Sequence, residues 1–183
     1  MTLLLASAAR ATVGGRSGQE DAFRLWPAEG AVPPKSESGG LLAVLADGMG
    51  GHTGGAIAGQ TACKTFTEAF SATSAPLEAR LKSALNASNE ALAKGVEQNA
   101  ALKGMGCTIV AAWMDDLGIR WTSVGDSLLL LYRLPDVIRL NPIIRWARSW
   151  TSRPARTRSR APRPGETATA MPCAPRSRVP RSI

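Results

Sequence analysis

The sequence predicts an α+β fold in which helices pack against a largely antiparallel β-sheet. Three observations predict it. An apolar run at residues 41–46 stops at an aspartate and a glycine, two segments with helical apolar spacing follow at residues 56–70 and 76–98, and three strand-like runs separated by turn residues come next. A chain of 183 residues is long enough for one domain with a hydrophobic core, which we place at residues 1–140.

The first segment predicts a strand followed by a loop. Small apolar residues at positions 3–13 run into two glycines, as expected for a strand that enters a turn. The segment reaches Arg10 too soon, and has too few basic residues at its start, for a signal peptide. A loop containing Glu20 and Asp21 should follow.

The next segment predicts an irregular connection and then a buried strand. Residues 26–40 are rich in Pro, Gly and Ser, which favours a surface loop. The continuous apolar run at residues 41–46 is typical of a buried strand. We expect this strand to end by delivering Asp47 into a glycine-rich loop.

The middle of the chain predicts two helices and then a meander of strands. Apolar residues recur at mostly helical spacing over residues 56–70, and a second helix should begin near Pro76 and end near Gln98. Turn chemistry separates the later strands. Those strands are predicted at residues 107–114, 119–124 and 128–132, with turns at 115–118 and 125–127. The adjacent Asp115 and Asp116 resemble a pair of catalytic carboxylates, but the following Leu and Gly favour a hairpin turn.

The positive charge of the chain is concentrated at one end. The formal net charge is +8, yet residues 141–183 hold 10 of the 22 Lys and Arg, leaving 12 basic and 13 acidic side chains in residues 1–140. The remainder is nearly neutral and lacks a basic stripe with interleaved aromatic residues, so we do not expect a nucleic-acid partner. A weaker alternative makes the tail a tether to nucleic acid or to an acidic surface.

The tail itself has no apolar period. Its Arg, Pro, Ser, Ala and Thr residues bury too little apolar surface to offset the entropy of ordering, so we predict disorder over residues 141–183. This composition also resembles GC-rich coding DNA translated in another frame. Our hypothesis is a frameshifted or truncated gene product.

The cysteines and the hydropathy indicate the cellular compartment. Cys63, Cys107 and Cys173 are widely spaced and form neither a CxxC pair nor a zinc-binding cluster. Unpaired thiols in a reducing compartment fit best. No apolar stretch approaches the roughly 20 residues that span a bilayer. We therefore expect a cytoplasmic protein without a membrane partner. We also expect a monomer.

The segment Asp47-Gly48-Met49-Gly50-Gly51-His52 is the strongest chemical signal. A carboxylate at a strand end beside glycines that leave backbone carbonyls accessible is the kind of oxygen-rich site that Mg²⁺ or Mn²⁺ prefers. The competing interpretation is a tight turn whose aspartate caps the next helix. A phosphate-binding P-loop is excluded because no Gly-Lys-Ser/Thr sequence follows.

Four short motifs occur in one order along the chain, and their order resembles a known family. They are Arg16-Ser-Gly-Gln19-Glu20-Asp21-Ala22, Asp47-Gly48-Met49-Gly50-Gly51-His52, Gly104-Met105-Gly106-Cys107-Thr108 and Gly125-Asp126-Ser127. Together they resemble the bacterial-type, metal-dependent serine/threonine protein phosphatases of type 2C. The resemblance implies a four-layer α/β/β/α sandwich, here incomplete at its C-terminal end, and two Mn²⁺ or Mg²⁺ ions between the sheets.

The resemblance also implies a role for each matched residue. Asp47 would bridge the two ions, Gly48 would offer its carbonyl, and Glu20 and Asp21 would act on waters bound to them. Arg16 would hold the substrate phosphate, and Asp126 would lie near a third metal position. The reaction implied is hydrolysis of phosphoserine and phosphothreonine by a metal-activated water. The resemblance implies a phosphoprotein substrate, and a bacterial Ser/Thr kinase as the enzyme that phosphorylates it.

His52 is the only histidine and invites a role as general acid. Its position three residues after Met49 differs from that of the catalytic histidine in many eukaryotic relatives, so orienting a water or packing the loop are alternatives.

The family's later metal ligands have no counterpart in this chain. An Asp-Gly and an Asp-Asn motif are expected after the Gly-Asp-Ser turn, yet no Asp follows Asp136. We therefore expect impaired metal binding and activity. The alternative is a catalytically inactive module that binds a phosphoprotein through Arg16.

Overall fold

The computed structural model describes residues 5–27 and 39–142. Two α-helices and seven β-strands lie within these ranges. They are β1 (Asp21–Trp26), β2 (Leu41–Met49), α1 (Gly51–Ser71), α2 (Leu77–Gln98), β3 (Gly106–Cys107), β4 (Ile109–Asp115), β5 (Gly118–Val124), β6 (Leu130–Arg133) and β7 (Asp136–Arg139), with a short 3-10 turn at Ala100–Leu102.

The strands form one main sheet and one separate hairpin. The main sheet has the order β1-β2-β4-β5, with β3 also paired to β2, and β6 pairs with β7. Every described pair is antiparallel. The α+β prediction is therefore confirmed, and the boundaries of α2 match those expected from the sequence. Across the described residues, no helix has an apolar stretch that could cross a bilayer.

The core lies between α1, α2 and the main sheet. Phe66 and Phe70 of α1 are fully buried against Leu42 and Val44 of β2. Trp113 of β4 closes the cluster, with its ring centroid 5.4 Å from that of Phe70. This packing holds α1 against the strand that carries Asp47.

The predicted first strand is wrong. Residues 5–13 have no regular secondary structure and are mostly exposed, whereas the first strand begins at Asp21, inside the segment predicted as a loop. The small alanine-rich side chains of the early segment offer little apolar surface to bury. In β1, by contrast, Ala22 and Trp26 pack against the core.

The predicted glycine-rich loop after Ala46 is also wrong. Strand β2 continues through Met49 and α1 begins at Gly51, so Gly50 alone separates the two elements. Gly50 has a φ of 126°, which a residue with a side chain rarely adopts. A Cβ added to Gly48 would lie 2.0 Å from the Gly55 carbonyl oxygen, so these glycines let helix and strand meet closely.

The predicted strand over residues 107–114 is divided into β3 and β4. Both pair with β2 in one continuous register, from Leu41↔Met114 to Met49↔Gly106, and the regular pattern is interrupted at Thr108. The following hairpin is confirmed, since Asp115 pairs with Gly118 across its turn. The third predicted strand begins later, at Leu130.

Asp115 has a structural role, as the hairpin interpretation predicted. Its carboxylate accepts hydrogen bonds from Trp113 Nε1 at 2.8 Å and from the Leu117 N–H at 3.0 Å, and it forms a salt bridge with Arg120. The partners of the Asp115 carboxylate therefore all belong to the hairpin formed by β4 and β5.

The described cysteines are free thiols. Cys63 is buried in the core and Cys107 is half-buried, as the prediction of unpaired thiols requires. Cys173 and most of the predicted tail lie outside the described residues. Asn141, the first residue assigned to that tail, is buried and bonded to the preceding turn.

Candidate metal centre

Asp21 and Asp47 face each other across the β1–β2 pair. They are register partners, with Asp21 at the start of β1 and Asp47 two residues before the end of β2. Directly opposed side chains of an antiparallel pair have Cβ atoms about 5 Å apart. Because both side chains are exposed, a ligand could reach them from solvent.

Three other carboxylates act on Asp47 at this end of the sheet. Partial burial raises the pKa of Asp47 above its ordinary 3.8, and the negative charges of Asp21, Asp126 and Glu20 raise it further. We call these four residues the carboxylate cluster. The cluster joins residues from three of the four sequence motifs.

The chemistry of the cluster fits a divalent cation. Carboxylate oxygens are the donors that Mg²⁺ and Mn²⁺ prefer, and a cation would reverse the repulsion that raises the Asp47 pKa. Among residues 5–27 and 39–142, however, no group of three or more His, Cys, Asp or Glu side chains is close enough to hold an ion. The described carboxylates therefore form an open site that waters or other ligands would have to complete.

Glu20 is positioned by the N-terminal turns of α1. Its carboxylate lies beside Gly55, where an added Cβ would come within 2.5 Å of Glu20 Oε2. Its backbone oxygen would lie 2.7 Å from a Cβ on Gly48 and 2.8 Å from one on Gly59. Glycines in both elements therefore leave the space in which Glu20 lies beside Asp47.

Asp126 reaches the cluster from a turn between β5 and β6. The preceding Gly125 has a φ of 100°, and a Cβ there would lie 2.6 Å from Thr108 Cγ2. The next residue, Ser127, has its hydroxyl 2.5 Å from that of Thr108. The Thr108 side chain, between β3 and β4, thus contacts the turn on both sides of Asp126.

The structure does not bring every predicted residue to the same place. Arg16 is exposed in a turn where its N–H donates to the Val13 carbonyl at 3.1 Å. Its charge is not among those that shift the Asp47 pKa. His52 belongs to the first turn of α1, but its side chain lies outside the described part of the structure.

The helix-capping interpretation of Asp47 is wrong. The N-cap of α1 is Gly50, and no side chain makes a capping hydrogen bond there. Asp47 lies within β2, three residues before that cap, and its carboxyl faces Asp21 instead.

Sequence reasoning missed two polar residues that support the cluster. Thr108 donates its N–H to the Asp47 carbonyl at 2.8 Å, and its hydroxyl accepts the Asp47 N–H at 3.2 Å. Ser127 bonds to that hydroxyl. Both residues lie within the sequence motifs at 104–108 and 125–127, but their contacts join positions 61 and 19 residues apart and leave no local pattern.

Comparison with known proteins decides the family. The family model described as protein phosphatase 2C matches residues 21–140, well over half of the chain. The chain belongs to the protein phosphatase 2C family. The match begins at Asp21 and includes Asp47 and Asp126, whereas Arg16 and Glu20 precede it.

Curated relatives are bacterial serine/threonine phosphatases. The chain is 34% identical over 91 residues to the serine/threonine phosphatase stp of Listeria monocytogenes, covering 47% of this chain and 36% of that protein. It is 35% identical over 97 residues to the serine/threonine protein phosphatase PstP of Mycobacterium tuberculosis, covering 52% and 19%. The matched segment thus spans about a third or less of these relatives.

Solved structures of this family share the fold. The Mycobacterium tuberculosis phosphatase PstP/Ppp superposes with a TM-score of 0.57 at 28% identity, covering 70% of this chain and 49% of that one. The phosphatase Stp1 of Staphylococcus aureus gives 0.60 at 26% identity, covering 72% and 50%. A structure of the PstP catalytic domain in complex with 2 manganese ions gives 0.56 at 29% identity, covering 69% and 50%.

Proposed function

We propose that the chain carries the phosphatase centre of a protein phosphatase 2C domain and hydrolyses phosphoserine and phosphothreonine in proteins. One observation carries the proposal: Asp21 lies opposite Asp47 in the β1–β2 register, and the charges of Asp21, Asp126 and Glu20 add to the burial that raises the Asp47 pKa. Family membership and the manganese complex of the related PstP domain support it.

Two Mn²⁺ or Mg²⁺ ions, and a third near Asp126, are the cofactors that this proposal implies. When bound, such ions supply an activated water and neutralise the phosphate oxygens. Asp47 and the Gly48 carbonyl would hold the ions between them. Glu20 and Asp21 would orient the surrounding waters, and Asp126 would lie near the third ion.

Two further residues complete the proposed site. Arg16 would bind the substrate phosphate, since a guanidinium pairs well with phosphate oxygens. His52, in the first turn of α1, would donate a proton to the leaving group or orient a water.

We further infer that cations bind weakly to this chain. The described residues contain no three-ligand cluster, and no Asp follows Asp136. Fewer charged ligands lower the affinity of an oxygen site for divalent cations. Phosphatase activity of this chain should therefore require a higher Mn²⁺ concentration than activity at a centre with a full ligand set.

The test is Mn²⁺-dependent release of phosphate from a phosphothreonine peptide by the full chain. Asp47→Asn should abolish the release, with a loss above the roughly 100-fold that changes around metal ligands can cause. Asp116→Asn is the matched control, because Asp116 is an exposed aspartate in the β4–β5 turn, outside the carboxylate cluster. Activity that persists in Asp47→Asn would refute the proposal.

A second candidate function is phosphoprotein binding without turnover. The open geometry of the described carboxylates favours it. Calorimetry would then show phosphopeptide binding without Mn²⁺, lost in Arg16→Ala and kept in Arg10→Ala, which removes another exposed arginine. Binding that requires Mn²⁺ would instead support the phosphatase. A substrate supplied by a bacterial kinase, a monomeric state and a cytoplasmic location remain predictions.

A further inference from the structure

Thr108 interrupts an otherwise regular strand ladder at the point where it faces Asp47. The register is continuous on both sides, with Leu45 opposite Val110 and Gly48 opposite Cys107. Opposed residues of an antiparallel pair either exchange two backbone hydrogen bonds or none. Here one backbone bond is present, from the Thr108 N–H to the Asp47 carbonyl, and the Asp47 N–H donates to the Thr108 hydroxyl instead.

The same hydroxyl contacts the turn that carries Asp126. Thr108 Oγ1 and Ser127 Oγ lie 2.5 Å apart, and Thr108 is only 4% exposed. A hydrogen bond shielded from water is stronger than one in solvent, and an unmet polar group there is costly. The hydroxyl pair therefore joins the backbone of Asp47 to the residue that follows Asp126.

The far side of the turn is held as well. The buried Asn141 donates its side-chain N–H to the Ser127 carbonyl at 2.8 Å and accepts the Leu129 N–H at 2.8 Å. On the near side, the Thr108 methyl group fills the space beside Gly125. Asp126 consequently lies between two anchored residues.

We propose that Thr108, through its hydroxyl bond to Ser127, is a positioning residue that sets Asp47 and Asp126 at a fixed separation for binding a cation. The effect of Thr108 on cation binding rests on the proposed function. The link that Thr108 makes between Asp47 and the Asp126 turn does not. Asp47 and Asp126 come from separate elements, so a rigid link between them removes motion that binding would otherwise have to restrict.

Two substitutions separate the hydroxyl from the methyl group. Thr108→Val keeps the shape and the contact with Gly125 but cannot accept the Asp47 N–H, whereas Thr108→Ser keeps the hydroxyl and removes the methyl. Thr122→Val on β5 is the matched control for a threonine outside the cluster. Thermal unfolding of each full-length variant establishes that it folds.

The first measurement is amide hydrogen exchange of Asp47 in the metal-free chain. Thr108→Val should accelerate exchange of this amide about tenfold relative to that of Val44, the change expected for one lost hydrogen bond. Thr108→Ser and Thr122→Val should stay near the wild-type rate. Equal acceleration in Thr108→Val and Thr108→Ser would overturn the proposal.

The second measurement is Mn²⁺ titration by calorimetry. Thr108→Val and Ser127→Ala should each weaken binding about tenfold, and the double variant should lose little more than either single one, because the two hydroxyls act as one link. If wild type binds Mn²⁺ and Thr108→Val binds equally well, the positioning role is refuted and the proposed function stands. If wild type binds no Mn²⁺, the proposed function fails. The exchange rates of the Asp47 amide then still test the link between Thr108 and Asp47.

Discussion

Asp21 lies directly opposite Asp47 across the β1–β2 pair, and its negative charge adds to the effect of burial in raising the pKa of Asp47. Like charges in this position destabilise an antiparallel pair. The sheet nevertheless keeps them together, because Ala22 and Trp26 of β1 pack against the core beside Leu42 of β2. Burial of these residues fixes the register, and the register places the carboxylates at one edge of the sheet.

The first prediction concerns the pH dependence of stability without metal. The pKa of Asp47 is raised in the folded state above its ordinary 3.8, so the folded chain binds this proton more tightly than the unfolded one. Its contribution is present at low pH and is lost as pH rises through the raised pKa. Asp47→Asn should therefore be more stable than wild type at neutral pH in EDTA, and the difference should shrink towards about pH 4.

Urea unfolding at a series of pH values measures this difference, and Mn²⁺ should reverse it. The cation stabilises the folded wild type by binding to it, and should stabilise Asp47→Asn far less. A variant that is less stable than wild type at neutral pH without metal would show that the cluster is not repulsive.

The second prediction concerns the contact between β2 and α1. Gly48→Ala should lower the free energy of unfolding by about 3 kcal/mol, because its Cβ would overlap the Gly55 carbonyl, a rigid backbone group. Gly54→Ala is the matched control, since its Cβ would meet Met105 at an ordinary 3.6 Å and alanine favours a helix by up to about 1 kcal/mol. Chemical denaturation compares the two. Equal stability of both variants would contradict the close approach.

The third prediction separates the two aspartates of the hairpin. Asp115→Ala leaves the buried Trp113 N–H and the Arg120 guanidinium without their acceptor, so it should cost about 3 kcal/mol. Asp116→Ala removes an exposed carboxylate and should change stability by less than about 0.5 kcal/mol. Thermal unfolding of both variants checks the difference. A large loss of stability in Asp116→Ala would show that Asp116, and not only Asp115, has a structural role in the hairpin.

The fourth prediction concerns thiol reactivity. Burial raises the pKa of Cys63 from 9.0 to about 12, so at neutral pH its thiolate fraction should be about 1,000-fold below that of a free cysteine. Cys63 should resist iodoacetamide in the native chain and react in denaturant, as measured by peptide-resolved mass spectrometry. Rapid native labelling of Cys63, with the far-UV spectrum unchanged, would contradict its burial.

Several elements could be predicted because their signals are local. Helix α2 was delimited correctly, since a proline precedes its first turn and apolar residues recur at helical spacing beyond it. The hairpin at Asp115 followed from turn chemistry within four residues. The early strand was predicted wrongly because an apolar run does not show whether a partner strand exists.

The sequence by itself determined the chemistry of the candidate centre: carboxylates beside glycines, in an order that resembles the phosphatase family, with Asp47 at its centre. Only the tertiary structure decided that Asp21 opposes Asp47, that Gly48 and Gly55 belong to a strand–helix contact rather than a loop, and that Thr108 links Asp47 to the Asp126 turn. These are contacts between residues distant along the chain. Register and close approach depend on which surfaces are buried together, and no short segment encodes that choice alone.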